Sequence, residues 1–254
     1  MICIVIPAYQ PPAHFVDTVD RLRKAGFVDI VVVDDGSGTE YREIFAQAEQ
    51  LGCTVLRHSE NMGKGAALKT AFSHLASLPH TPDVLTVDCD GQHRLEDIQT
   101  MADAMKAHPN SIVAGCRSFD TAMPSRTRMA GKMVSATLRF LYGIRLPDAQ
   151  SGLWGISGRL LSALAGLKGQ RFEYELNILL FARKRGIELT TVPIRAVYPA
   201  GADSHFHTVS DSLRVMGQLL WGTVQYSAVA ALSGVIDVAL YCILGKLLLG
   251  QLPL

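Results

Sequence analysis

The stretch VLTVDCDGQH, residues 84–93, runs apolar from Val84 to Val87 and then sets two acids, Asp88 and Asp90, one residue apart. Its first half reads as a strand buried on both faces, the pattern of a parallel sheet. Its second half puts two carboxylates at the strand's end, where Gly91 lets the backbone turn sharply. Such a pair suits a hard divalent cation, Mg2+ or Mn2+, which takes oxygen ligands and shares them with a substrate's phosphates. Gln92 would add a neutral oxygen. Acids after a strand also commonly do no more than cap the next helix, so the weight of this pair depends on what the other strands carry.

On either side the chain alternates. ICIVI (2–6), DIVVVDD (29–35), CTVL (53–56), VLTVD (84–88) and SIVAG (111–115) read as strands. Phe15, Val19 and Leu22 recur at helical spacing, and 64–78 and 95–107 read as helices. This alternation predicts an α/β domain whose mostly parallel sheet is covered on both faces. Ligands of such sheets bind beyond the carboxyl ends of the strands. Polar groups follow each strand: Pro7-Ala8-Tyr9, Asp34-Asp35-Gly36-Ser37, Arg57-His58, Asp88-Cys89-Asp90 and Cys116-Arg117. They collect on one rim, which raises the acidic pair from a cap to a candidate metal site.

From 117 to 150, Arg117, Arg126, Arg128, Lys132, Arg139 and Arg145 are opposed only by Asp120 and Asp148. Two readings stay open, an exposed basic helix and a site for phosphates. FEYELNILLFARKRG (172–186) predicts a helix with Glu173 and Glu175 in its first turn, and IELTTVPI (187–194) predicts a late strand. Lys plus Arg number 24 against 23 Asp plus Glu, a net charge of +1 that argues against general nucleic-acid binding. Cysteines 3, 53, 89, 116 and 242 form no CxxC pair and no zinc spacing, and are expected as reduced thiols in a cytosolic setting. MICIVIPAY reads as a first strand rather than a targeting leader. Competing motifs fail: an EF-hand loop would need Gly at its sixth position, a P-loop would need Ser or Thr after Lys64, and neither GxGxxG nor GxSxG occurs.

The last part of the chain has another character. Val215 to Ile236 holds no acid or base, and after Asp237 a second apolar run reaches Lys246. A membrane span needs about 20 mainly apolar residues. The segment therefore reads as a membrane helix or as a buried core helix pair, and its place beyond the α/β alternation favours the membrane. Thr208 to Gln225 carries Val209, Leu213, Met216, Leu219 and Leu220 with Asp211 and Arg214 between, an amphipathic juxtamembrane pattern. The expected organisation is a catalytic domain at 1–207, a juxtamembrane helix at 208–225 and a transmembrane segment at 226–254.

Pro7-Ala8-Tyr9, VVVDDGSG (31–38), NMGKGAAL (61–68), DCDGQH (88–93), GCR (115–117), DAQSG (148–152) and FEYELN (172–177) come in order along the chain. This set resembles a family 2 glycosyltransferase of the GT-A (nucleotide-diphospho-sugar transferase) fold, over about residues 1–215. Within that family it resembles the dolichyl- and polyprenyl-phosphate sugar synthases. The resemblance implies inverting, metal-dependent transfer of one sugar from a UDP- or GDP-linked donor to a polyprenyl phosphate such as undecaprenyl phosphate. It implies that Asp88, Asp90 and Gln92 hold Mg2+ or Mn2+ on the diphosphate. Pro7, Ala8, Tyr9 and Asp35 would line the nucleoside pocket, and Asn61, Gly63 and Lys64 would lie near the base or ribose. Arg117, Arg126 and Arg128 would meet the acceptor phosphate. Asp148 and Gln150 would sit near the transferred sugar, with Glu175 facing it too. Asp90, Asp148 and Arg117 then form the catalytic set.

Residues 226–249 resemble the opening helix of a GtrA-like membrane domain. That implies a truncated domain of this kind, a cytoplasmic-membrane location with the catalytic part facing the cytosol, and packing against further helices or in a homo-oligomer. The sequence departs from the family at Gln10, Gly131 and Trp154, where Asn, Asn and Arg are usual, and it lacks the QxxRW motif of processive synthases. His93 reads as a residue behind the ligands, Asp34 as a loop cap or a ligand, and Ser204-His205 as a lid contact or plain surface. Two other functions compete: transfer to a saccharide or protein hydroxyl, and a non-catalytic, membrane-tethered sugar-nucleotide sensor, against which the intact acidic pair argues.

Overall fold

The structure, a computed structural model, describes residues 1–117 and 125–195, together with positions 217, 231–234, 236, 237 and 240. Among the described residues seven strands form one sheet: β1 (Ile2–Ala8), β2 (Ile30–Asp34), β3 (Thr54–Arg57), β4 (Asp83–Thr86), β5 (Ile112–Arg117), β6 (Trp154–Ile156) and β7 (Leu189–Ile194). The helices are α1 (Phe15–Lys24), α2 (Arg42–Gln50), α3 (Lys64–Ala76), α4 (Leu95–Ala107), α5 (Ser125–Tyr142), α6 (Leu161–Ala165) and α7 (Glu173–Arg185).

The strand order is β3-β2-β1-β4-β6-β5-β7. β1 pairs in parallel with both β2 and β4, so the chain first winds one way and then returns to the other side of β1. The carboxyl ends of β1 and β4 therefore flank the topological switch point, where open α/β sheets leave a crevice. β6 is antiparallel to β4 and to β5, which leaves β5 and β7 running with the others. The expected mostly parallel α/β sheet is present. β6 itself is an addition that the sequence pattern did not contain.

Burial explains why the strands are continuous apolar runs. Cys3 to Ile6 and Val31 to Val33 are at most 4% exposed, because helices cover both faces of the sheet. Phe15, Val19 and Leu22 form the buried stripe of α1, and Phe15 meets Phe45 of α2 edge to face at 6.4 Å between ring centres. Backbone contacts divide the chain into Met1–Val215 and Met216–Leu254. The expected boundary at 207, all of the juxtamembrane helix but position 217, and most of the 226–254 segment lie outside the described residues. Among the described residues no helix is long and apolar enough to cross a membrane.

Candidate active site

Asp88 and Asp90 stand just past β4, at the switch point. Asp88 Oδ1 accepts from the Lys64 ammonium at 2.7 Å, and Lys64 lies 3.0 Å from the buried Glu175 carboxylate. α3 begins at Lys64 and α7 at Glu173, so both charges are delivered by first turns. The two helices can approach because of Gly65, where a Cβ would lie 2.5 Å from Tyr174 Cβ. Burial alone would discharge Lys64, but Asp88 and Glu175 overcome it and hold its pKa above the usual lysine range. Burial likewise works to raise Asp88, and the Lys64 charge outweighs it, so Asp88 stays below the ordinary carboxylate range. Glu175 moves the other way: burial raises it, against the pull of Lys64.

Asp90 is raised by burial and then by the negative charge of Asp88. Its Oδ1 accepts from the Gln92 backbone N–H at 3.0 Å, while the His14 ring N–H donates to its carbonyl at 3.2 Å. The loop is closed from the other side by Gly152, where any Cβ would collide with the Asp88 carboxylate. The His93 side chain is buried, neither ring nitrogen has a hydrogen-bond partner, and Nε2 lies 3.8 Å from Asp88 Oδ2. Asp88 and Asp90 crowd together, and the one ammonium, Lys64, is shared between Asp88 and Glu175, which leaves negative charge for a further cation. The oxygen donors Asp88, Asp90 and Gln92 fit Mg2+ or Mn2+. Among the described residues no three His, Cys, Asp or Glu side chains assemble into a metal cage. Cys89, between the acids, has its thiol pushed up to about 12 by burial and by Asp90 and Asp88, which makes it a poor nucleophile.

Asp35, 3% exposed, directly follows β2 and is fully engaged. It accepts from Met62 N–H at 3.0 Å, from Gly63 N–H at 2.7 Å and from His58 Nδ1 at 2.7 Å. It thereby fastens the loop that leads into Lys64. Asp34 caps its own loop by accepting from the Ser37 N–H at 2.9 Å. Ser37 Oγ accepts from Gln10 N–H at 2.9 Å, which ties the turn after β2 to the one after β1, where Pro7 and Ala8 end the strand and Tyr9 follows it.

The third feature ends β5. Arg117 Nε donates to Asp148 Oδ2 at 2.6 Å, and Nη2 donates to Oδ1 at 3.2 Å and to the Gln150 carbonyl at 2.9 Å. Asp148 is fully buried and also accepts from the backbone amides of Arg117 and Gln150. Asp148 and Gln150, expected at the sugar, are thus built into the clamp on Arg117. The segment 148–152 grips Arg117 at one end and abuts Asp88 at the other.

The structure therefore brings Lys64, Asp88, Asp90 and Glu175 to one corner and sets Arg117 and Asp148 beside it. Lys64, expected near the base or ribose, forms an ion pair with Asp88 of the acidic pair. Arg128 is partly exposed in the first turn of α5, and the Arg126 side chain lies outside the described residues, as does Ser204-His205. His14 and His58 were missed as loop anchors. His58 had a signal, a polar residue directly after a strand, whereas His14 had none.

A mostly parallel α/β sheet with an acidic pair at its switch point has the GT-A type of fold. Residues 3–164 match Glycosyl transferase family 2, and the chain belongs to that family and is a glycosyltransferase. It is 30% identical to the uncharacterized protein MJ1222 of Methanocaldococcus jannaschii, over 86% of this chain and 90% of the relative. It is 26% identical to the UDP-N-acetylglucosamine–dolichyl-phosphate N-acetylglucosaminyltransferase of Methanococcus voltae, over 78% of this chain and 86% of the relative. Its fold is similar to glucosyl-3-phosphoglycerate synthase of Mycobacterium tuberculosis, solved with Mn2+, uridine diphosphate and phosphoglyceric acid. The TM-score is 0.68 at 19% identity, over 87% of this chain and 77% of that one.

Proposed function

We propose that this glycosyltransferase moves a single sugar from a UDP- or GDP-linked donor to a polyprenyl phosphate, with inversion, at the cytosolic face of the cytoplasmic membrane. One observation carries the reading. Segment 148–152 fixes an arginine, suited to an acceptor's phosphate, beside the carboxylate pair suited to a donor's diphosphate. The relative from Methanococcus voltae, whose name carries a dolichyl phosphate acceptor, supports it.

In the reaction a phosphate oxygen of the acceptor attacks the anomeric carbon, and the nucleoside diphosphate leaves from the opposite face. A divalent cation held by Asp88, Asp90 and Gln92 would supply Lewis-acid stabilisation of the charge on the departing diphosphate. Lys64 keeps Asp88 ionised and aimed, and Glu175 holds Lys64 from behind. Arg117 receives the acceptor anion, and Asp148 positions Arg117 by fixing its fork. An acceptor phosphate is already anionic at neutral pH, so no side chain has to act as general base. Asp35 fixes the loop from His58 to Gly63 against which the nucleoside would rest, with Tyr9 and Asn61 nearby in the chain order of the rim. The apolar segment 226–254, read as membrane-embedded and GtrA-like, would keep this site at the bilayer.

The test is transfer of radiolabel from a panel of nucleotide sugars, with undecaprenyl or dolichyl phosphate as acceptor and extraction into organic solvent. Label should enter the organic phase, Asp90→Asn should nearly abolish it, and EDTA should do the same to the unmodified enzyme. Label that stays in a soluble saccharide or on protein would favour a hydroxyl acceptor instead, and full activity in excess chelator would remove the metal from the scheme.

A further inference from the structure

α5 has two faces. Its inner stripe, Gly131, Val134 and Leu138, is buried. Its outer stripe is apolar as well: Met129 is 72% exposed, Met133 48% and Phe140 88%. With Ala136, these positions follow i, i+4, i+7 and i+11, a single line along a helix about 27 Å long. Scattered exposed apolar residues are ordinary on a protein surface. A line of large ones opposite the core stripe marks a surface that something covers.

The charges beside the line say what kind of partner fits. Lys132 and Arg139 are exposed on the same side of the helix. Arg139, Phe140, Arg145, Leu146 and Pro147 line a groove of about 690 Å3 at its end. Between Thr121 and Pro147 the chain has no Asp or Glu. A second copy brought face to face would set these cations against each other without an acid to receive them. A nucleic acid would leave the methionines and Phe140 unmatched. An anionic bilayer answers both features: apolar side chains enter the boundary between headgroups and acyl chains, while Lys and Arg reach lipid phosphates. The second unit, taken by itself, also exposes a line of apolar helical positions, Leu232, Ile236 and Leu240, at 61%, 50% and 51%.

We propose that the outer face of α5 is a docking surface for an anionic bilayer. The inference rests on the lipid-phosphate reading above only for its purpose, which is to hold the rim of the sheet against the membrane that carries the acceptor. The full chain is mixed with vesicles of phosphatidylcholine alone or with phosphatidylglycerol at three parts in ten. Backbone hydrogen exchange across 129–142 should slow on the anionic vesicles and not on the neutral ones. The triple variant Lys132→Gln, Arg139→Gln, Arg145→Gln should lose the anionic increment of binding, about fivefold per cation and about a hundredfold together. Met133→Ser with Phe140→Ser should abolish the slowed exchange while keeping the charges. All five side chains are at the surface, and the exchange measurement on the unmodified protein needs no variant. Unchanged exchange on anionic vesicles, slow exchange at 129–142 already in the free protein, or equal protection by a DNA duplex would each overturn the proposal. Transfer to a short-chain, soluble isoprenyl phosphate separates the two readings. Variants that keep it while losing vesicle binding support both, whereas docking without any transfer to isoprenyl phosphates removes the acceptor reading and leaves the docking surface standing.

Discussion

Lys64 carries two carboxylates, and its removal tests what holds the acidic corner together. In Lys64→Met, Asp88 and Glu175 would face each other without a counter-charge. Breaking a buried pair in this way costs about 3–5 kcal/mol, and about 2–4 kcal/mol here because Asp88 is 27% exposed. The pH dependence has a definite sign. Asp88 is held below its ordinary pKa in the folded protein, so below about pH 4 the unfolded chain binds more protons than the native one. That contribution is complete above the unfolded pKa and is lost as pH falls through the folded one. In Lys64→Met the depression disappears and this contribution with it, so the gap in melting temperature between the two proteins should be widest at neutral pH and should narrow as the pH falls below about 4. An identical profile for the variant would mean that Lys64 does not hold Asp88. Arg117→Ala makes a separate case. A charge-assisted phosphate contact is worth about 1.5–3 kcal/mol, so the acceptor KM should rise roughly ten- to a hundredfold with donor affinity unchanged. An equal fall in donor affinity would move Arg117 to the donor side. These roles were only half legible in the sequence. Asp88 and Asp90 could be read from their place at a strand end, but Asp35 and Asp148 looked equally available. Their occupation by Gly63, His58 and Arg117 depends on contacts 23 to 31 residues away in the chain.

At the scale of elements, α3 and α7 meet through Gly65. Gly to Ala inside a helix ordinarily stabilises by about 1 kcal/mol. Here the new Cβ would stand 2.5 Å from Tyr174 Cβ and 2.8 Å from the Arg171 carbonyl, and backbone cannot yield as a flexible side chain can. Overpacking of this kind costs about 1–3 kcal/mol, so the steric effect wins and Gly65→Ala should destabilise. The shift should also part Lys64 from Glu175 and weaken nucleotide-sugar binding. A urea melt that shows stabilisation would mean that the helices have room. Helices α3, α4 and α7 and the parallel strands were readable because each carries a period or an apolar run of its own. β6 was not, because Trp154–Ile156 is three residues long and is a strand only through its pairing with β4 and β5. At Trp154 the family resemblance leads to the expectation of arginine, and its burial at 1% exposure explains why an apolar ring suits that strand position.

For the whole molecule, the arrangement of units bears on the acceptor. Every rim residue that the structure places at the candidate site precedes Arg195, within the unit that ends at Val215. Donor binding should therefore survive removal of Met216–Leu254, because Asp35, Lys64, Asp88 and Asp90 keep their partners without it. Use of a long-chain lipid phosphate should not survive as well. Such an acceptor is confined to a bilayer, and a tethered enzyme meets it at a far higher effective concentration than a free one. The expected result has three parts. The full chain sediments with membranes and needs detergent, the 1–215 protein binds nucleotide sugar with unchanged affinity, and its turnover of long-chain polyprenyl phosphate falls at least tenfold while a short-chain soluble analogue is used as before. If α5 docks as proposed, some vesicle affinity remains in the 1–215 protein and is removed by the triple charge variant. A full chain that stays monodisperse without detergent, together with equal turnover of the long-chain acceptor by both proteins, would place the acceptor in solution and make the last segment part of some other assembly.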